Sequence, residues 1–152
     1  MPSLTANVLY DTQQRSVIQF IWGGGSSVAA SGLTGMVLAS SLTGYNASLP
    51  TGSTGVNIDV SQIFWSLPQG STATGIELAW GSSGSVTGNP FMYLNGNGYV
   101  NLSANRLYFR NQDMSANRRN SIQFRNTGAL NTNDIMSIVI ELDKSGGYIR
   151  QM

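Results

Sequence analysis

The feature that most constrains this chain is the rhythm of its interruptions. Clusters of Gly, Ser, Thr and Asn break the sequence about every ten residues, which is the spacing of turns between short strands. Apolar residues recurring at i, i+3, i+4 and i+7, the mark of an amphipathic helix, are not sustained anywhere. The segments between interruptions alternate instead. In Gly75-Ile76-Glu77-Leu78-Ala79-Trp80, the side chains of Ile76, Leu78 and Trp80 fall on one face and Glu77 and Ala79 on the other, which predicts a half-buried antiparallel strand. In Arg106-Leu107-Tyr108-Phe109-Arg110, Leu107 and Phe109 share a face opposite the two arginines and the tyrosine. The pattern predicts strands over 4–10, 15–22, 34–40, 55–65, 75–80, 91–94, 98–102, 106–110, 120–125 and 135–142, with very little helix. Ile135-Met136-Ser137-Ile138-Val139-Ile140-Glu141-Leu142 is apolar on both faces apart from its Ser and Glu, so it is expected to lie centrally or beneath a neighbouring subunit. Short strands joined by glycine-rich turns point to an all-β fold, an antiparallel β-sandwich of jelly-roll-like type.

With 152 residues, 41% of them hydrophobic, the chain can bury a core as one domain over 1–152, and no internal stretch reads as a linker. Its surface is unusual. Only 10% of residues are charged, and the net charge is +1. There is no long-range field to hold nucleic acid or an anionic membrane, and little charge repulsion between copies. The chain has no Cys and no His. Disulfides, thiolate metal sites, His-based zinc sites and Ser-His-Asp or Cys-His nucleophiles are therefore excluded together. No basic segment followed by an apolar run opens the sequence, and no apolar stretch approaches bilayer length, so synthesis in the cytoplasm is expected.

The remaining motifs read as structure. Gly96-Asn97-Gly98 lies between Phe91-Met92-Tyr93-Leu94 and Tyr99-Val100-Asn101-Leu102, where it predicts a hairpin turn. Neither it nor Gly23-Gly24-Gly25 opens a helix, as a phosphate cradle requires. Asp11, Asp59, Glu77, Asp113, Asp134, Glu141 and Asp143 show no spacing that selects a glycosidase pair or a calcium loop, and several sit at strand ends. Trp22, Trp65 and Trp80 fall in apolar strand patterns and are expected in the core, with sugar stacking as the alternative. No catalytic, cofactor or metal residues are assigned, and an enzyme is not expected.

Candidate contact residues come from two places. Arg106, Arg110, Arg118, Arg119 and Arg125 are interleaved with Tyr108, Phe109 and Phe124, a mixture suited to protein interfaces. Residues 145–152 follow the last strand as an arm in which Gly146-Gly147 forms a hinge and Tyr148, Ile149 and Arg150 an anchor, able to add a strand to a neighbour or fill a groove. The first strand is a third contact candidate.

Thr5-Ala6-Asn7-Val8-Leu9-Tyr10-Asp11-Thr12 leading into Arg15-Ser16-Val17-Ile18-Gln19-Phe20, the pair Ile63-Phe64-Trp65 and Ile76-Glu77-Leu78-Ala79-Trp80, the Gly96-Asn97-Gly98-Tyr99 turn and the closing Ser137-Ile138-Val139-Ile140-Glu141-Leu142-Asp143-Lys144 resemble a family of small virion structural proteins of tailed bacteriophages, marine and cyanobacterial phages among them. The likeness runs in order along most of the chain, and departs in the Gly/Ser stretch at 23–33 and the arginine stretch at 106–125. It implies a capsid decoration or cement protein on the virion surface, a homo-oligomer such as a trimer bound to the major capsid protein or other virion proteins. Other expectations left open are a neck or tail adaptor, a fibre-associated protein, and a carbohydrate-binding module for host recognition.

Overall fold

The computed structural model describes residues 4–23, 27, 34–38, 41–43, 58–67, 75–80, 89–102 and 121–144. Nine strands are formed there: β1 Thr5–Asp11, β2 Arg15–Gly23, β3 Thr34–Leu38, β4 Ile58–Ser66, β5 Gly75–Trp80, β6 Asn89–Asn95, β7 Asn97–Asn101, β8 Ser121–Asn126 and β9 Ile135–Lys144. They build a five-stranded sheet, ordered β1-β2-β9-β4-β7, and a four-stranded sheet, ordered β3-β8-β5-β6. Every pairing is antiparallel. The predicted all-β sandwich is the fold, and its predicted central strand, β9, is the middle strand of the larger sheet. The predicted strand over 106–110 and the arm 145–152 lie outside the described residues.

Strand alternation decides what lies between the sheets. On β2, Ser16, Ile18, Phe20 and Trp22 are buried while the residues between them are half-buried; on β9, Met136, Ile138, Ile140, Leu142 and Lys144 are buried in the same way. Ile76, Leu78, Leu94, Ile122 and Phe124 answer them from the other sheet. Phe20 on β2 meets Phe124 on β8 edge to face, with ring centroids 4.8 Å apart, so this contact joins the two sheets directly. Trp80 stacks on Phe91 at 4.6 Å within the smaller sheet.

Two sequence expectations change. Strand β5 is not half-buried: all six of its residues are buried, Glu77 included. The carboxylate tolerates this because Arg125 on the neighbouring β8 reaches both of its oxygens at 3.1 Å. The second change is at the Gly96 turn. It turns the chain, but β6 and β7 do not form a hairpin: β6 pairs with β5 in one sheet and β7 with β4 in the other. Gly96, at φ 59°, is the corner at which the chain passes between sheets, a conformation that strongly favours glycine. Leu67 N donates to Gly96 O at 2.9 Å, and Trp65 Nε1 donates to Asn95 O at 2.9 Å, so β4 fixes the corner from the side. Gly98, two residues on, has the Trp65 ring lying where a Cβ would project.

Candidate interaction surface

The larger sheet has one more strand than the smaller, and β1 is its edge. Residues Thr5 to Tyr10 are all exposed. Val8, Leu9 and Tyr10 are among the exposed large hydrophobic residues, and a register shift between Val8 and Tyr10 leaves Leu9 as an extra residue opposite β2. A bulge at an edge limits indiscriminate strand pairing, yet here it also presents three consecutive apolar side chains to solvent.

A clamp at the far end of β1 holds this edge in place. Lys144, at the end of β9, has a fully buried side chain. Its ammonium donates to Asp11 Oδ1 at 2.6 Å, to Thr12 O at 2.5 Å and to Thr43 O at 2.7 Å. Asp11 also accepts from Ser16 Oγ at 2.5 Å and from Thr43 N at 2.9 Å. Burial pushes the Asp11 carboxyl up, but the bonds from Lys144, Ser16 and Thr43 together outweigh it and bring its pKa from 3.8 down to about 2. The ammonium has an acceptor for each of its protons, which suits it to structural closure of the sheet and not to nucleophilic chemistry.

The outer face of the larger sheet, turned away from the sandwich core, follows from the registers. Tyr99, Phe64, Val139, Gln19 and Asn7 stand side by side on β7, β4, β9, β2 and β1. Asn97, Ser66, Ser137, Ile21 and Thr5 form the row to one side. Neither row carries a charge. Phe64 is 57% exposed and Tyr99 54% exposed, with ring centroids 5.9 Å apart and planes tilted by 54°. The Tyr99 hydroxyl donates to Gln62 Oε1 at 2.7 Å, and Gln62 Nε2 donates to Glu141 Oε1 at 3.3 Å. Glu141 also lies 3.6 Å from Arg15 and accepts from Ser61 Oγ at 2.9 Å, and Asp59 and Asp143, paired across β4 and β9, share this end of the face with them, so it is acidic.

The contact residues expected from sequence, Arg106, Arg110, Arg118, Arg119, Tyr148, Ile149 and Arg150, lie outside the described residues. Arg125, the last of the arginine stretch, is committed to Glu77. The first strand, also a contact candidate, forms over Thr5–Asp11 and lies at one edge of the larger sheet. Trp22 and Trp80 are buried in the core, and Trp65 rests on Gly98, so the tryptophans follow the packing reading. Glu77, Glu141, Asp11 and Asp134 are held by hydrogen bonds or ion pairs within the fold, and no group of three or more acidic residues converges on a metal-sized site among the described residues. The outer-face pair Phe64 and Tyr99 was not singled out from sequence. Its signal is present in Ile63-Phe64-Trp65: three consecutive large apolar residues on one strand cannot all face the same core.

These features define a two-sheet β-sandwich with an exposed apolar edge and an outer face that is aromatic and uncharged in two rows and acidic at one end. No protein-family model matches the sequence, and no curated protein matches it either. Among solved structures, a cupin domain from Bordetella pertussis Tohama I is similar over 93% of this chain and 94% of that one, at 9% identity and a TM-score of 0.34. A chain of the acid-stable capsid of Helicobacter pylori bacteriophage KHP30 is similar over 82% and 92%, at 16% identity and a TM-score of 0.33. A chain of the expanded equine rhinitis A virus capsid is similar over 97% and 77%, at 10% identity and a TM-score of 0.29. With all three TM-scores under 0.5, a functional reading has to rest on this chain's own surfaces.

Proposed function

We propose that this protein is a virion structural component, a capsid decoration or cement protein that stabilises a shell by binding across its subunits. The observation that carries the reading is the apolar edge of β1, where Val8, Leu9 and Tyr10 face solvent while Asp11, the next residue of the strand, is locked by Lys144. A rigidly held apolar edge is suited to contact with another protein, either by strand addition or by insertion of the bulge into a groove. A decoration protein needs no active site, and its partner site exists only on the assembled shell. Binding there stabilises the shell by mass action, and many modest contacts acting together suffice. The arginines at 106, 110, 118 and 119 and the Tyr148-Ile149-Arg150 anchor are the further contacts assigned to this role.

The experiment is quantitative mass spectrometry of particles purified from the source, followed by rebinding of purified protein to particles stripped of it. Copy numbers comparable to the major capsid protein support decoration of the head. A dozen copies or fewer would move the protein to the neck or tail, and absence from particles would remove the virion reading. Val8→Lys with Leu9→Lys is expected to abolish rebinding if the β1 edge is the contact.

A further inference from the structure

We infer that Asn95 is a site of spontaneous covalent modification, converted through a cyclic imide to aspartate or isoaspartate at the corner where the chain passes between sheets. The inference goes beyond the assembly role proposed above and does not rest on it.

The motif is in the sequence. Asn followed by Gly occurs twice in the chain, back to back, at Asn95-Gly96 and Asn97-Gly98. An asparagine carboxamide can be attacked by the backbone nitrogen of the next residue, and glycine leaves that nitrogen uncrowded because it has no side chain. The nitrogen gives its proton to solvent base and bonds to the carboxamide carbon. The bond from that carbon to the side-chain nitrogen breaks, and this nitrogen leaves as ammonia. Water then adds to one of the two ring carbonyls and opens the imide, giving aspartate, or isoaspartate when the chain continues through the former side chain. Water is consumed and ammonia released, and no oxidant or enzyme is needed.

The fold separates two sites that look alike. Asn95 and Asn97 are both exposed, so access of water does not distinguish them. Their attacking nitrogens do. Leu67 N donates to Gly96 O and Leu102 N to Ser61 O, each at 2.9 Å. Backbone bonds between antiparallel strands recur at every second pair, so Gly98, opposite Trp65, exchanges both of its bonds with that residue. The Gly98 nitrogen is therefore committed to the β4–β7 ladder, against the Trp65 ring. Gly96 lies between β6 and β7, and no hydrogen bond from its nitrogen forms among the described residues. Its peptide group is also activated. Trp65 Nε1 donates to Asn95 O at 2.9 Å, and a donor on that carbonyl stabilises the negative charge the amide takes on when the Gly96 nitrogen loses its proton.

Each product changes the corner differently. Aspartate adds one negative charge to a chain whose net charge is +1. Isoaspartate lengthens the backbone by one carbon where Leu67 N and Trp65 Nε1 hold it. Because β6 must stay in register with β5 and β7 with β4, the longer backbone loosens the link between the sheets.

The test is peptide mapping by mass spectrometry of the full chain aged at neutral pH, once folded and once in urea. In the folded chain Asn95 is expected to convert roughly tenfold faster than Asn97, the factor set by the one net hydrogen bond that Gly98 must break first. In urea the two rates should converge. Trp65→Phe, which removes the indole donor and uncovers Gly98, should narrow the gap in the folded chain. Asn95→Asp carries the charge without the longer backbone, so wild type enriched in isoaspartate by ageing should unfold at a lower urea concentration than this variant. Equal rates in the folded chain, faster conversion at Asn97, an unconverted Asn95 after the unfolded chain has reacted, a gap untouched by Trp65→Phe, or aged protein as stable as Asn95→Asp would overturn the inference.

Discussion

Removing either half of the Lys144–Asp11 clamp should destabilise the fold by different amounts, in an order set by burial. Asp11→Ala removes the carboxylate from an ammonium whose side chain is fully buried, while its bonds to the Thr12 and Thr43 carbonyls remain. Breaking a buried pair in this way costs about 3–5 kcal/mol. Lys144→Met strands a carboxylate that is 16% exposed and keeps its bonds from Ser16 and Thr43, while the Thr12 and Thr43 carbonyls each lose a donor. That loss is closer to about 1–3 kcal/mol. The double variant should cost less than the two single changes added together, because the charge that each strands is removed by the other. Urea unfolding reads the difference: with a slope of about 2 kcal/mol/M, Asp11→Ala lowers the midpoint by roughly 2 M. The acid limb supplies an independent arm. Since the folded pKa of Asp11 is about 2, below its ordinary 3.8, its contribution is fully present above 3.8 and is lost as pH falls through about 2. Wild type should therefore lose stability across that window more steeply than Asp11→Ala. Equal midpoints for the two single variants, or an unchanged acid limb in Asp11→Ala, would refute the reasoning.

Other positions give sharper local outcomes. Gly98→Ala places a methyl group in the Trp65 ring and should cost about 1–3 kcal/mol, with a change in tryptophan fluorescence from the displaced indole. Trp22 is wholly buried, and its Nε1 has no hydrogen-bond partner. Trp22→Phe removes an unpaired donor worth about 1–3 kcal/mol of desolvation, which offsets much of the lost packing, so it should cost clearly less than Phe20→Ala at about 3–5 kcal/mol in the same unfolding assay.

The strands were legible as short apolar runs bounded by Gly, Ser, Thr and Asn clusters, as with β2 and β9, because extended-chain preference and turn residues are local properties of the sequence. Pairing partners were less so. Gly96 announces a turn in the sequence, but whether the chain doubles back or crosses to another sheet is decided by β4 and β5, which lie well before it. Glu77 reads as solvent-facing until Arg125, 48 residues later, is brought beside it. Lys144 reads as a strand-end charge until Asp11, 133 residues earlier, is found at 2.6 Å. Each of these depends on topology, which strand patterns alone leave open. The outer aromatic face was partly legible, since Ile63-Phe64-Trp65 and Val8-Leu9-Tyr10 both carry more consecutive apolar residues than a strand can bury on one side.

The distribution of charge ties the clamp to the proposed interfaces. Each of the three basic residues among those described is in an ion pair within the fold: Arg15 with Glu141, Arg125 with Glu77 and Lys144 with Asp11. The described surface therefore has no unpaired cation with which to steer a charged partner, and recognition there must come from shape and apolar contact. Such recognition is slow to form and relies on a low dissociation rate. The other five basic residues, Arg106, Arg110, Arg118, Arg119 and Arg150, all fall in segments assigned to contact with the particle. The cations of the described residues thus hold the protein's own strands together. If the arginines carry the proposed contact with a shell, that association should weaken as salt is raised, whereas one made through the apolar edge of β1 should not.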